Sequence, residues 1–143
     1  MGIRILLVDD HELVRQGIAE LLTAEDDLEV VGEAATVADA LVRAGQVRAH
    51  VAVLDVRMPD GNGLDLCREL LARDPGLRCL VLTSDDGSRA EAITAGASGF
   101  VLKQVLGMTL VDAVRAVGAG GSFLDADGTR DGTRDGAAER EER

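Results

Sequence analysis

With 143 residues, 46% of them hydrophobic, the chain is long enough to bury one sizeable core and too apolar to be disordered throughout. Its formal net charge of -11 disfavours a nucleic-acid backbone as a direct partner and suits a hard cation or simple solubility. No apolar run reaches membrane-spanning length or forms a signal peptide, and Cys67 and Cys79 have neither zinc nor disulfide-framework spacing, so a soluble cytoplasmic protein with two buried thiols is expected.

The first apolar run is Ile3–Val8, followed by a helix with Leu13, Val14, Ile18, Leu21 and Leu22 on one face. The second run is Leu28–Val31. Thr36 with Asp39 reads as a capping box opening a second helix, which carries Val37, Leu41 and Ala44. After the third run, Val51–Leu54, a third helix is marked by Leu64, Cys67, Leu70 and Leu71 and closed by Asp74-Pro75. The fourth run, Cys79–Leu82, leads into a short, weakly amphipathic helix through Ala90 and Ile93. The fifth, Gly99–Leu102, leads into a helix with Leu110, Val111, Val114 and Val117, ended by Gly118 and Gly120-Gly121. Beyond Phe123 the sequence Asp127-Gly-Thr-Arg repeats as Asp131-Gly-Thr-Arg and then runs into charges.

Each apolar run has the length of a strand buried on both faces. Five alternations of strand and helix predict an α/β fold: a five-stranded parallel sheet, doubly wound, with helices on both faces in three layers. The expected strand order is the flavodoxin-like 2-1-3-4-5, one of several that the pattern allows. Residues 1–124 form the expected domain, and 125–143, with nothing to bury, are expected to be a disordered charged tail. Asp131, Asp135, Gly136, Glu139 and Glu142 approach a calcium-loop register, but Thr133 breaks it and helical flanks are missing.

The chemistry lies at the strand ends. The first strand ends in Asp9-Asp10, the third in Asp55, the fourth in Thr83-Ser84 and the fifth in Lys103, so these groups converge on the crevice beyond the carboxyl edge of the sheet. Taken one at a time, an acid there is an ordinary turn or cap residue and a lysine an ordinary solvated one. Taken jointly, three carboxylates in one small site repel and call for a divalent cation, for which Mg2+ fits best and Mn2+ is admissible. Asp55, central in the sheet, can act as a carboxylate nucleophile and form an acyl phosphate. Lys103 would neutralise phosphoryl oxygens and the Thr83 hydroxyl would donate to one of them. No base positioned for rapid hydrolysis is evident, so the site should store a phosphoryl group rather than turn over substrate, with only self-catalysed transfer and slow loss.

Leu-Val-Asp9-Asp10-His11, Leu54-Asp55-Val-Arg-Met58-Pro59-Asp60-Gly61, Leu82-Thr83-Ser84 and Leu102-Lys103 together resemble the receiver signature of two-component response regulators. The run from Asn62-Gly63 through Cys67, Leu77-Arg-Cys79 and Gly96-Ala-Ser98-Gly is similar to the NarL/FixJ subfamily, and within it most like the mycobacterial dormancy regulators. The resemblance implies a phosphoacceptor at Asp55, charged by a sensor histidine kinase. It implies Mg2+ held by Asp10, Asp55 and the Arg57 backbone carbonyl, with Asp9 acting through water, and a switch pair, Thr83 and Phe100. Phe100 reads equally well as a core residue of the last strand.

The resemblance also implies a surface of the fourth helix, fifth strand and fifth helix that changes on phosphorylation and pairs with a like chain or another partner to control transcription. Relatives continue into a helix-turn-helix domain where this chain has its charged repeat, so no direct DNA binding by this chain is expected. The stretch from Thr83 to Lys103 is about two residues shorter than in the family, and Gln104 stands where many receivers have proline. Two other readings stay open. One is a small phosphatase of the haloacid-dehalogenase type, weakened because Arg57 stands where its second acid belongs. The other is a non-phosphorylated pairing module.

Overall fold

The computed structural model describes residues 2–84, 86–105 and 107–124; the charged repeat and its calcium-like register lie outside them. Strands β1 (Ile3–Val8), β2 (Leu28–Ala34), β3 (Val51–Asp55), β4 (Arg78–Thr83) and β5 (Gly99–Leu102) form one parallel sheet in the order β2-β1-β3-β4-β5, as expected. Helices α1 (Glu12–Thr23), α2 (Val37–Gln46), α3 (Gly63–Arg73), α4 (Arg89–Thr94) and α5 (Met108–Gly118) alternate with the strands. Because side chains alternate along a strand, the sheet feeds two cores. Leu6, Leu54, Val81 and Phe100 pack with α2, α3 and α4, whereas Ile5, Leu7, Val53, Leu80 and Val101 pack with α1 and α5. With two phenylalanines and no larger aromatic, both cores are aliphatic and small, which lets the helices lie close to the sheet.

Several boundaries and faces differ from the sequence reading. Strand β2 runs three residues further, through Gly32 and Glu33, because ladder pairing with Leu6, Leu7 and Val8 overrides their poor strand propensity. On α1 only Ile18 and Leu22 are buried, and Leu13 is 82% exposed. Helix α4 buries Ala92, with Ala95 just beyond it, and turns Ala90 and Ile93 outward; its six residues follow a single 3-10 turn, Asp86–Ser88. The apolar residues that mark α5 are all core: Leu110, Val111, Val114 and Val117 are each 0% exposed. Both cysteines are buried.

Capping of α2 is shared. The Thr36 hydroxyl oxygen accepts from the Asp39 N–H at 3.0 Å, as the capping motif predicts. The Asp60 carboxylate, from the loop after β3, accepts from the Val37 and Ala38 N–H groups at 2.7 and 3.1 Å, which holds its pKa below the ordinary carboxylate value. Arg115 on α5 similarly grips the α1–β2 loop, donating to both Asp27 oxygens at 2.8 Å and to Glu25 at 2.7 Å. Past α5 the chain returns beside β5: the Phe100 N–H donates to the Phe123 carbonyl and the Phe123 N–H to that of Ser98, burying the Phe123 ring. The side chain of Arg89 reaches the Leu124 carbonyl.

A short antiparallel ribbon, Arg57–Met58 with Gly61–Asn62, folds the loop after β3 back so that Gly63 lies against the backbone of Asp55. The Gly63 N–H donates to the Val56 carbonyl at 2.7 Å, and a Cβ at position 63 would collide with the Asp55 carbonyl oxygen. Gly45, near the end of α2, has nothing within 4 Å of where a Cβ would stand. In urea unfolding followed by circular dichroism, Gly63→Ala should cost about 1–3 kcal/mol or more. Gly45→Ala should stabilise by about 0.5–1 kcal/mol, the ordinary helical gain. Similar effects at the two sites would refute the close approach at Gly63.

Candidate functional site

Strand register brings the polar residues together. Val8 pairs with Leu54, Asp55 with Leu82, and Thr83 with Leu102, so Asp9, Asp55, Thr83 and Lys103 all stand at the carboxyl ends of neighbouring strands. β1 is the strand from which the chain winds outward to β2 and inward to β3, so the crevice between β1 and β3 is the topological switch point. Asp9 and Asp55 are 1% and 6% exposed, Thr83 is buried, and Asp10 and Arg57 are on the surface.

The Lys103 ammonium bridges the two buried acids, 3.1 Å from Asp9 Oδ2 and 3.2 Å from Asp55 Oδ2. It donates a hydrogen bond to Asp55, whereas its contact with Asp9 is an ion pair outside hydrogen-bond geometry. Asp9 Oδ1 accepts from the His11 N–H at 2.9 Å, and Arg15 donates to the Asp9 carbonyl at 2.6 Å, which fixes the turn leaving β1. Ligand atoms of Asp9, Asp10, His11 and Asp55 all lie within 4.8 Å of one another. Buried Asp9 Oδ2, left without a hydrogen bond, and this oxygen-rich set fit a hard divalent cation.

Burial, aided by the negative charge of Asp9, lifts the Asp55 pKa above its ordinary value, and Lys103 only partly opposes that rise. Burial would depress the Lys103 pKa, but the Asp55 and Asp9 carboxylates outweigh it and hold it above the usual lysine value. The lysine is therefore charged, and the Asp55 carboxyl is destabilised in its ionised form.

The predicted residues converge with two qualifications. Phe100 pairs with Val81, two positions deeper than the Thr83–Leu102 pair, and its ring is fully buried, which in this structure makes it a core residue. The place of the Arg57 side chain is solvent, and its predicted part rests on the backbone alone. Gln104, read from the sequence only as a departure from the family, donates its amide to the Ser84 carbonyl at 3.2 Å and ties together the loops that carry Thr83 and Lys103. The sequence reading overlooked His11, whose Nδ1 stands 3.4 Å from both Asp9 and Asp10.

A family model, the response regulator receiver domain, matches residues 5–115. The chain belongs to the response regulator receiver family. Phosphorylation-dependent regulation is what this family does. The chain is 57% identical over 125 residues to the DNA-binding transcriptional activator DevR/DosR of Mycobacterium tuberculosis, an alignment covering 86% of this chain and 58% of that protein. It thus spans somewhat more than half the length of that curated relative. Among solved structures, it resembles a LuxR-family two-component response regulator from Aurantimonas, with TM-score 0.84, 32% identity and coverage of 89% of this chain and 92% of the other. It also resembles the signal receiver domain of the response regulator NarL from Mycobacterium tuberculosis, with TM-score 0.79, 31% identity and coverage of 83% and 98%. Among the described residues no helix is long and apolar enough to cross a membrane.

The raised Asp55 pKa has a thermodynamic consequence. Between the ordinary value of 3.8 and the raised one, the folded chain keeps a proton that the unfolded chain has released, so stability falls as pH rises through that window. With divalent cations chelated, Asp55→Asn should therefore be more stable than wild type at neutral pH, and the advantage should vanish as pH falls below the ordinary value. Thermal melts across the pH range provide the check; a constant gap between the two proteins would remove burial of this charge as the cause.

Proposed function

We propose that this receiver takes a phosphoryl group from the phosphohistidine of a sensor kinase onto Asp55. The observation that carries the proposal is the Lys103 ammonium spanning Asp9 and Asp55 in a buried crevice at the switch point of the sheet. An Asp55 carboxylate oxygen attacks phosphorus, and an acyl phosphate bond forms as the phosphorus–nitrogen bond breaks. The electron pair leaves on the donor imidazole, which takes up a proton from solvent. Lys103 meets the added charge on the phosphoryl oxygens, and Thr83, at the end of the next strand, donates its hydroxyl to one of them. Asp10, Asp55 and the Arg57 carbonyl would hold Mg2+, with Asp9 reaching it through water, and the ion when bound would offset negative charge on the acids and the phosphoryl group. The domain so assigned covers 1–124, with 125–143 as a charged tail, and hydrolysis by the domain itself is slow.

In this reading phosphorylation draws Thr83 inward and is felt at Phe100, and the response emerges on α4, β5 and α5. Because Leu110 and Val111 are core, the partner surface is instead built around Ile93, Gln104 and Met108, of which Ile93 is 40% and Met108 56% exposed. A second receiver is the expected partner there, as homodimer or heterodimer, in a cytoplasmic pathway that regulates transcription without direct DNA contact by this chain. Family membership and the exposed Arg57 leave the phosphatase alternative without support.

Acetyl phosphate with Mg2+ should add one phosphoryl group, seen by intact mass, and Asp55→Asn should abolish it. Lys103→Ala should slow labelling by about 100-fold. Asp10→Asn should weaken Mg2+ binding more than Asp9→Asn. Thr83→Ala should label nearly normally yet leave amide exchange across 86–118 unchanged on adding beryllofluoride, where wild type responds. Labelling of Asp55→Asn at the wild-type rate would move the acceptor elsewhere, and an unresponsive wild type would withdraw the switch.

A further inference from the structure

His11 stands beside the acids without any structural duty for its ring. It is the N-cap residue of α1, with φ -85° and ψ 108°, yet its side chain caps no helix N–H. Its backbone is fixed from both sides: the N–H donates to Asp9 Oδ1 at 2.9 Å and the carbonyl accepts from the Arg15 N–H at 2.8 Å. The ring is therefore carried over the crevice by a rigid turn while remaining largely in solvent. Its Nδ1 lies 3.4 Å from Asp9 Oδ1 and 3.4 Å from Asp10 Oδ1.

An octahedral ion with bonds of about 2.1 Å sets adjacent ligands about 3.0 Å apart and opposite ones about 4.2 Å apart. The donors of Asp9, Asp10, His11 and Asp55, all within 4.8 Å of one another, need only small movements to meet that sphere. Asp9, 1% exposed, pairs its Oδ2 with the Lys103 ammonium at 3.1 Å but receives no hydrogen bond there, so that oxygen keeps acceptor capacity at the edge of this cluster.

We propose that His11 gives an imidazole nitrogen to the cation of this site, making it a centre for borderline transition-metal ions such as Mn2+ and Ni2+ as well as for Mg2+. The proposal rests on the reading of the acidic cluster as a cation site and adds a ligand to it. Three carboxylates alone form a hard oxygen set that favours Mg2+ and Mn2+. One imidazole changes the order, because nitrogen binds Mn2+ and more strongly Ni2+, while Mg2+ gains little from it. His11 thereby decides which metal occupies the receiver when Mg2+ and transition ions compete. The other histidine, His50, cannot substitute, since it sits just before β3 at the opposite end of the sheet, where its Nδ1 accepts from the Arg4 N–H at 3.0 Å.

The test uses the whole chain loaded with Mn2+ and read by pulsed electron paramagnetic resonance for coupling to nitrogen-14. It is combined with calorimetric titration of Mg2+, Mn2+ and Ni2+ into wild type, His11→Ala and Asp10→Asn. The expected result is nitrogen coupling in wild type that disappears in His11→Ala. The same variant should lose about tenfold in Ni2+ affinity, the scale on which single metal-site contacts are felt, with Mg2+ nearly unchanged. His11 is exposed, so the variant should melt with wild type and the loss is readable. Mn2+ bound in an Asp10-dependent way without nitrogen coupling, or with coupling that survives His11→Ala, overturns the role of His11 and leaves the cation site standing. Mn2+ binding that is absent, or indifferent to Asp10→Asn, overturns both.

Discussion

Asp9 and Asp55 are buried side by side with one ammonium between them, so the crevice carries more negative than positive charge before Asp10 is counted. Unit charges 4.8 Å apart at an effective dielectric of 20 interact by about 3–4 kcal/mol, which is comparable to the stability contributed by a core side chain. The charge left over is not relieved by solvent, because the acids are covered. A cation would relieve it, and on the proposed reading a phosphoryl group added to Asp55 would alter it again. That sensitivity to charge suits a family whose regulation depends on phosphorylation.

The rest of the fold keeps that charge pattern in place. Parallel pairing sets the four strand ends in register, so no flexible loop has to find the site. The acceptor is then buttressed from behind, where Gly63 packs on its backbone and Asp60, a few residues along the same loop, caps α2. Lys103 is tied to the Thr83 side of the crevice through the Gln104–Ser84 hydrogen bond. The loop after β5 is thus joined to the loop after β4 that leads toward α4. The short α4, with one turn buried through Ala92, has little packing to resist displacement.

Strand and helix alternation was legible because each strand is a compact aliphatic run, and the site was legible because its polar residues directly follow those runs. Less legible were features set by partners distant in sequence. Gly32 and Glu33 become strand only through β1, and Asp60 caps a helix that begins 23 positions earlier. Arg115 finds Asp27 across 88 residues, which no local pattern encodes. On α4 periodicity misled: alanines are too small to mark a buried face, so Ile93 drew attention to the exposed one. On α5 a nearly all-apolar turn could not be divided into core and surface before its position between β4, β5 and α1 was known. Phe100 illustrates the same limit, since a switch aromatic and a core aromatic occupy the same strand position and differ only in where the ring lies.

The return of the chain beside β5 affects how this sheet ends. A terminal strand normally presents a row of open amide and carbonyl groups that can template pairing with another molecule. Here Phe123 takes up the groups of Ser98 and Phe100 that would otherwise point outward, and its ring seals the margin by burying itself against α5. Pairing of a further strand is therefore obstructed along the Ser98–Phe100 stretch of this flank. The residues after Gly121 thus close part of this edge without using any of the charged groups in the crevice.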